Sequence, residues 1–356
     1  MQIFEYKIKK GDTLESIAKE YDITVDELKD FHNSHCGVAS LIVTDRLPIQ
    51  IDFVIINSKV AQKEVLKSAK AGKIEFDKNA IYRCKQLNIT RIEEDIKSYS
   101  ELKKEFAVKY SINEKLVSVN LNDFYYEFNP PALSRVFDFI SKVDYIRNDC
   151  IIELDDLGRF SKIVNKDHQL DKWQHFKNVE LNKIEFIKVI RESKPKEYNK
   201  LLKQGDLQFS KEYNDENDFN RDLFYLILLD KYLINDIDNL QPEEYTYKSQ
   251  LCPDVTVPMN LRYDFIKREN DQVTVRKVWE TKESDELVEE ISKVYEKYHQ
   301  PLIKYKFTKY KLDMRCLLTY NDKTKIISNA ELSIIENIEN NIKSECIFNI
   351  KNVERE

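Results

Sequence analysis

Hydrophobic positions repeat with three different periods along this chain. Near the start, Ile3, Phe4, Tyr6 and Ile8 make a short apolar-rich run in which Tyr6 and Ile8 alternate with Lys7 and Lys9. That spacing predicts a strand, and Gly11 ends it. Leu14, Ile17, Ala18 and Tyr21 then fall at helical spacing, behind Asp12 and Glu15 in a capping-box arrangement. Thr24 and Glu27 repeat that arrangement ahead of the stripe Val25, Leu28 and Phe31. After a polar loop, Phe53 to Ile56 predict a second strand. The first fifty-odd residues thus read strand, helix, helix, strand.

Beyond residue 57 a basic, Ala-rich stretch over residues 58–78 reads as a linker, with helical character up to about Gly72. A body follows over residues 79–356. Apolar positions predict a strand over residues 80–92, through Ile81, Leu87 and Ile89. Residues 101–110 leave strand and helix open. Alternation from Leu116 to Phe128 predicts a strand stopped by Asn129, Pro130 and Pro131. Leu133, Val136, Phe137, Ile140 and Val143 predict an amphipathic helix. A hairpin is expected around Asp155 to Gly158, then a long helical region from Leu170 towards Gln204. A further helix is expected through Phe219, Leu223, Leu226, Ile227 and Ile234. Residues 236–258, with Pro242, Pro253 and Pro258, form a loose stretch where the body could divide. Past it, Leu261 to Phe265 should pair with Val273 to Val278. A helix follows at 283–298, then alternating runs at 305–318, 330–338 and 342–350. The predicted class is α+β: a βααβ module, then antiparallel strands with several amphipathic helices. Whether the strands form one curved sheet or two stays open.

The opening segment resembles LysM modules. The residues that carry the resemblance are Tyr6, Gly11, Asp12, Thr13, Leu14, Ile17, Ala18, Tyr21, Leu28 and Asn33, spaced as in that family. The resemblance implies a βααβ fold that binds N-acetylglucosamine units of peptidoglycan or a related glycan. The groove would lie between the loop after the first strand and the loop before the last. By position, Gly11, Asp12, Thr13 and Leu14 belong to the first loop and Asn33 and Ser34 to the second. Gly11 equally suits a turn, Asp12 and Thr13 a helix cap, and Leu14 the core. The second loop, SHCGVASLIVTDRLPIQ, is longer than the family usually has. A LysM fold used as a protein-docking block is therefore the alternative.

Composition narrows the choices. At 356 residues the chain has room for two or three domains. Its net charge of -6 is spread among interspersed signs without a basic block, which argues against nucleic acid. No apolar run reaches the length of a membrane span. No charged start followed by an apolar stretch opens the sequence. The expectation is synthesis in the cytoplasm without a signal peptide, with export by a specialised secretion system. The six cysteines stand singly and read as small buried hydrophobes in a reducing compartment.

Little of the sequence points to catalysis. His32, His35 and Cys36 stand within five residues, but a zinc site needs a fourth ligand, so a polar loop is the better reading. His168 and His175 suit a solvated helix face. Asp155 and Asp156 at a hairpin tip fit turn chemistry better than an acid/base pair. No phosphate-cradling or nucleophile-elbow motif is present. Tyr125, Tyr126, Tyr305 and Tyr310 could stack sugars, yet alternating aromatics usually face a core. The expected function is non-catalytic glycan binding without cofactor or metal, the body acting as scaffold. The alternative is a structural part of a contractile injection or type VI secretion apparatus, partnered by that apparatus's proteins. A cell-wall hydrolase is the weaker third.

Overall fold

The computed structural model describes residues 3–8, 12–21, 23–36, 42, 44, 47–48, 51, 53–57, 75–131, 134–234, 240–252 and 255–353. It divides into two compact units, Met1–Glu75 and Phe76–Glu356. Gly11, most of the long second loop and the predicted linker helix lie outside the described residues.

In the first unit, β1 (Ile3–Lys7) pairs antiparallel with β2 (Phe53–Asn57). Between them lie α1 (Leu14–Glu20) and α2 (Val25–His35). Leu14, Ile17, Ala18, Tyr21 and Leu28 fill the core as the helical stripes predict, together with Tyr6, Val54 and Ile56. The second cap is the expected one, Thr24 with Glu27. The first differs: Thr13, not Asp12, is the N-cap, and Ser16 completes the box. The hydroxyl geometry of Thr13 reaches the third helical amide, so the helix starts one residue later. His32, Asn33, Ser34 and His35 are the last turn of α2, not a polar loop.

The second unit is built on one eleven-stranded antiparallel sheet in the order β7-β6-β5-β4-β3-β13-β12-β11-β10-β9-β8. The first half supplies β3 (Lys78–Ile92), β4 (Asp95–Ser111), β5 (Leu116–Asn129), β6 (Asp149–Leu154) and β7 (Phe160–Ile163). The second half supplies β8 (Glu243–Lys248), β9 (Thr256–Glu269), β10 (Gln272–Thr281), β11 (Tyr310–Asn321), β12 (Ile327–Ile338) and β13 (Ile342–Asn352). The halves join where β13 pairs with β3, from Ile342↔Ile92 to Asn352↔Tyr82. The strand-rich stretches therefore make a single sheet, and β8 runs through the stretch read as loose.

Between the two halves come α3 (Ser134–Arg147), α4 (Lys166–His175), α5 (Glu185–Ser193), α6 (Pro195–Gln208), α7 (Glu216–Arg221) and α8 (Leu223–Leu228). The long helical region expected from Leu170 towards Gln204 is present and is divided among α4, α5 and α6. A π turn and a 3₁₀ turn follow α4. Pro195, which cannot donate to the preceding helix, opens α6. The helix expected from Phe219 to Ile234 is broken as well. Asp222 caps α8 through the amide of Phe224, and Asp230 caps a 3₁₀ turn through that of Lys231. Asp side chains compete for backbone amides more strongly than apolar spacing can resist. Later, α9 (Asp285–Tyr298) and α10 (Gln300–Ile303) close the core.

One face of the sheet carries the core. Tyr82, Phe106, Val119, Phe348, Leu332, Cys316 and Val275 meet Phe224, Ile227, Leu228 and Tyr232 there. On β3 the buried residues are Ala80, Tyr82 and Cys84, out of phase with Ile81, Leu87 and Ile89. The opposite face bears cross-strand ion pairs such as Arg83 with Glu105 at 3.0 Å. A separate cluster of Trp173, Phe176, Leu181, Ile187 and Phe209 holds α4, α5 and α6 together. There Gly205 lets α6 approach the Trp173 ring; a Cβ would fall 2.1 Å from it. The outermost strands of the sheet are β7 and β8, and an Arg159–Glu243 ion pair ties them across the gap. No helix of the described residues is long and apolar enough to cross a membrane.

Candidate functional site

The two loop regions singled out in the first unit are shaped by their own side chains. Asp12 accepts a hydrogen bond from Tyr6 Oη at 2.9 Å, which ties the first loop to β1. Thr13 Oγ1 accepts from the Ser16 amide at 3.1 Å, and Ser16 Oγ answers the Thr13 amide. Leu14 is fully buried and faces the core. Asn33 uses both ends of its amide on one residue: Oδ1 accepts from Ile42 N at 2.8 Å and Nδ2 donates to Ile42 O at 2.9 Å. That pair anchors the second loop by its buried Ile42. Ser34 Oγ donates to Phe31 O at 2.9 Å on the exposed side of α2. Thr13, Asn33 and Ser34 therefore hold backbone in place, Asp12 accepts from a side chain of β1, and Gly11 lies outside the described residues.

Sequence spacing missed His32. It is fully buried beneath the helix, and its Nδ1 accepts from the Ile55 amide of β2 at 2.9 Å. Its position one residue past Phe31, on the Leu28 side of α2, was the available signal. Burial and the Asp12 hydrogen bond push the Tyr6 phenol well above its ordinary range, so it stays a donor. The amide and hydroxyl of Thr24 hold Glu27 below the usual carboxylate range.

In the body, the candidate chemical groups turn out to brace backbone. Asp155 Oδ1 accepts from the amides of Leu157 and Arg159, both at 2.8 Å, closing the hairpin around Gly158. Asp156 pairs with Lys115 at its exposed tip. His168 meets Asp149 at 3.0 Å and thereby ties α4 to β6. Burial pushes the thiols of Cys150, Cys252, Cys316 and Cys346 up to about 12, far from thiolate chemistry at neutral pH. Among the described residues no group of three or more His, Cys, Asp or Glu is placed to hold a metal ion. Tyr310 is buried and donates to Glu336, whereas Tyr125 and Tyr305 are half exposed.

Two buried ionic groups were not foreseen. Lys277 and Asp230 meet 2.7 Å apart in the core, with Tyr263 Oη donating to the same Asp230. Glu336 accepts from Ser249 Oγ, from the amides of Gln250 and Leu251, and from Tyr310 Oη. Both clamp segments that pack on the inner sheet face.

Residues 6–31 match the family model of the LysM domain. That match indicates binding of glycan, peptidoglycan included. No curated protein matches the chain. A solved structure described as lipid–protein interactions in lipovitellin is similar over 79% of this chain at 11% identity, with a TM-score of 0.37. The similarity covers 26% of that protein, so the chain spans about a quarter of its length.

Proposed function

We propose that this chain is a non-catalytic glycan-binding protein. Its first unit would recognise N-acetylglucosamine-containing glycan of the peptidoglycan type, and its sheet body would act as scaffold and interaction platform. The observation that carries this reading is the LysM match over residues 6–31. The body's turn-closing Asp155 and its deeply protonated thiols support a structural body. Co-sedimentation of the full chain with purified peptidoglycan tests the reading, beside a Gly11→Trp variant that places an indole in the first loop. The chain should pellet and the variant should not. A chain that stays in the supernatant sinks the glycan reading.

One observation favours a second reading. Asn33 and Asp12 are already engaged within the unit, and the second loop is long. A unit built so could serve as a docking block for proteins of a contractile injection or type VI secretion apparatus. Retention by such proteins, with no pelleting on peptidoglycan, is the outcome that would select it.

A further inference from the structure

From the end of α9, through α10, to the start of β11, the chain is basic without interruption. The whole chain has a net charge of -6, yet residues 297–312 hold Lys297, Lys304, Lys306, Lys309 and Lys311 and no Asp or Glu. Lys311 is matched by Glu339. Among the described residues Lys304 and Lys306 form no ion pair. The same segment presents apolar side chains to water. Leu302 is 77% exposed, the most of any large apolar residue described, and Tyr298 and Tyr305 are about half exposed. Lys297 Nζ lies over the Tyr298 ring, 4.7 Å from its centre. Over residues 296–309 only Ile303 is buried.

This exposure does not come from a loose loop. Ile303 and Phe307 pack on the body core. Tyr295 Oη donates to Tyr305 O at 3.0 Å, Asn341 Nδ2 to Lys306 O at 2.8 Å, and Thr308 Oγ1 to Glu339 O at 2.6 Å. On the other side of Leu302, His299 Nε2 meets Leu251 O at 2.6 Å. With the backbone held on both sides, a leucine and two tyrosines are kept outward among lysines. Apolar groups presented in this way mark a contact surface. A soluble polyanion would use the lysines and gain nothing from Leu302. A protein partner needs a broad complementary face, roughly 800 Å² a side, and this turn offers a few side chains. An anionic bilayer satisfies both features on a small footprint. The leucine enters the acyl boundary, the tyrosine rings rest at headgroup level, and the lysines meet the phosphates. No helix of the described residues is long and apolar enough to cross a membrane, so the contact is with one surface.

We propose that this turn is a docking point for an anionic membrane surface, with Leu302 as its tip and Lys304 and Lys306 on the headgroup phosphates. The proposal is independent of the glycan reading of the first unit, because the vesicles that test it carry no glycan. The full chain is mixed with vesicles of phosphatidylcholine alone, or of phosphatidylcholine and phosphatidylglycerol in equal parts, and bound protein is measured by flotation. It should float with the anionic vesicles and not with the neutral ones. Leu302→Ser should weaken binding by about tenfold, the loss of one buried leucine. Lys304→Gln with Lys306→Gln should weaken it by about thirtyfold. Lys196→Gln with Lys200→Gln, on the exposed side of α6, changes the net charge equally and should bind as the unaltered chain does. Trp173 and Trp279 are both buried, so a Leu302→Trp variant adds an exposed indole whose emission should shift to the blue on anionic vesicles. The proposal falls if the chain does not float with anionic vesicles, or if the Lys196 and Lys200 pair matters as much as the Lys304 and Lys306 pair. It also falls if Leu302→Ser binds unchanged and Leu302→Trp shows no shift; binding of soluble polyphosphate would then assign the lysines to an anionic polymer.

Discussion

In the first unit the one buried polar side chain among the described residues is His32, whose Nδ1 accepts from the Ile55 amide. In the body, Lys277 and Asp230 are both almost wholly buried and face one another, and Glu336 is buried with four donors around it. The difference follows from size. A core of ten or so side chains offers too little burial to offset the desolvation of a charge, and among the described residues the small unit keeps its carboxylates, lysines and arginines out of that core. A sheet of eleven strands buries enough apolar surface to carry charges inside and uses them to fix which segments pack where. One unit is specified by local caps, the other by long-range pairs.

The sharpest way to break that contrast is Lys277→Met. It leaves Asp230 buried without its cation and should cost the body about 3–5 kcal/mol in urea unfolding. Adding Asp230→Leu should recover most of the loss. A single-variant loss below about 1 kcal/mol would mean the pair behaves as a surface bridge, and the contrast fails.

In the first unit the largest effect should come from the apolar core. Leu28→Ala empties a fully buried site and should destabilise that unit by roughly 2–5 kcal/mol, read as loss of its own unfolding transition. Retention of that transition at its original midpoint would show that the small core is not what holds the module.

Acid should separate the units. At Asp149 burial raises the pKa, but the hydrogen bond from His168 and the charge of Lys172 outweigh it and hold the carboxyl well below its usual range. At Asp230, too, burial is outweighed, by the charge of Lys277 and its hydrogen bond. A depressed folded pKa contributes stability that is present above the unfolded value, about 4, and is lost as the pH falls further. The body should therefore weaken steeply below about pH 4. Asp149→Asn should flatten that slope, measured by thermal unfolding across pH 2.5 to 6; an unchanged slope would remove Asp149 from the account. The smallest effect should be Thr24→Ala, which deletes the cap of α2 and should cost about 1 kcal/mol. A loss confined to the first unit's transition would support local specification there.

The sequence was legible wherever the information is local. The stripe Leu14, Ile17, Ala18 and Leu28, the Thr24–Glu27 box and the Asn129–Pro130 stop all act within a few residues, and all reappear in the structure. Among the candidate site residues, their places in the chain were legible but their partners were not. Asn33 points to a loop residue nine positions on, and Asp12 to a tyrosine in the preceding strand. The helix from Phe219 to Ile234 was read too long because apolar spacing continues straight through Asp222 and Asp230, where capping carboxylates interrupt it.

Local spacing thus determined the βααβ order of the first unit, its second cap, the apolar stripes of its core, and the antiparallel alternation of the later strands. Only the tertiary structure decided that β3 turns Tyr82 and Cys84 inward while Leu87 stays on the other face. It also decided that β13 joins β3 into one sheet, from Ile342↔Ile92 to Asn352↔Tyr82, that Lys277 finds Asp230, and that a cavity remains beside Tyr247. The physical reason is common to all four. A strand with apolar residues on both sides, a lysine among hydrophobic neighbours or a tyrosine in an alternating run has several acceptable local readings. The choice among them is made by partners distant in the chain.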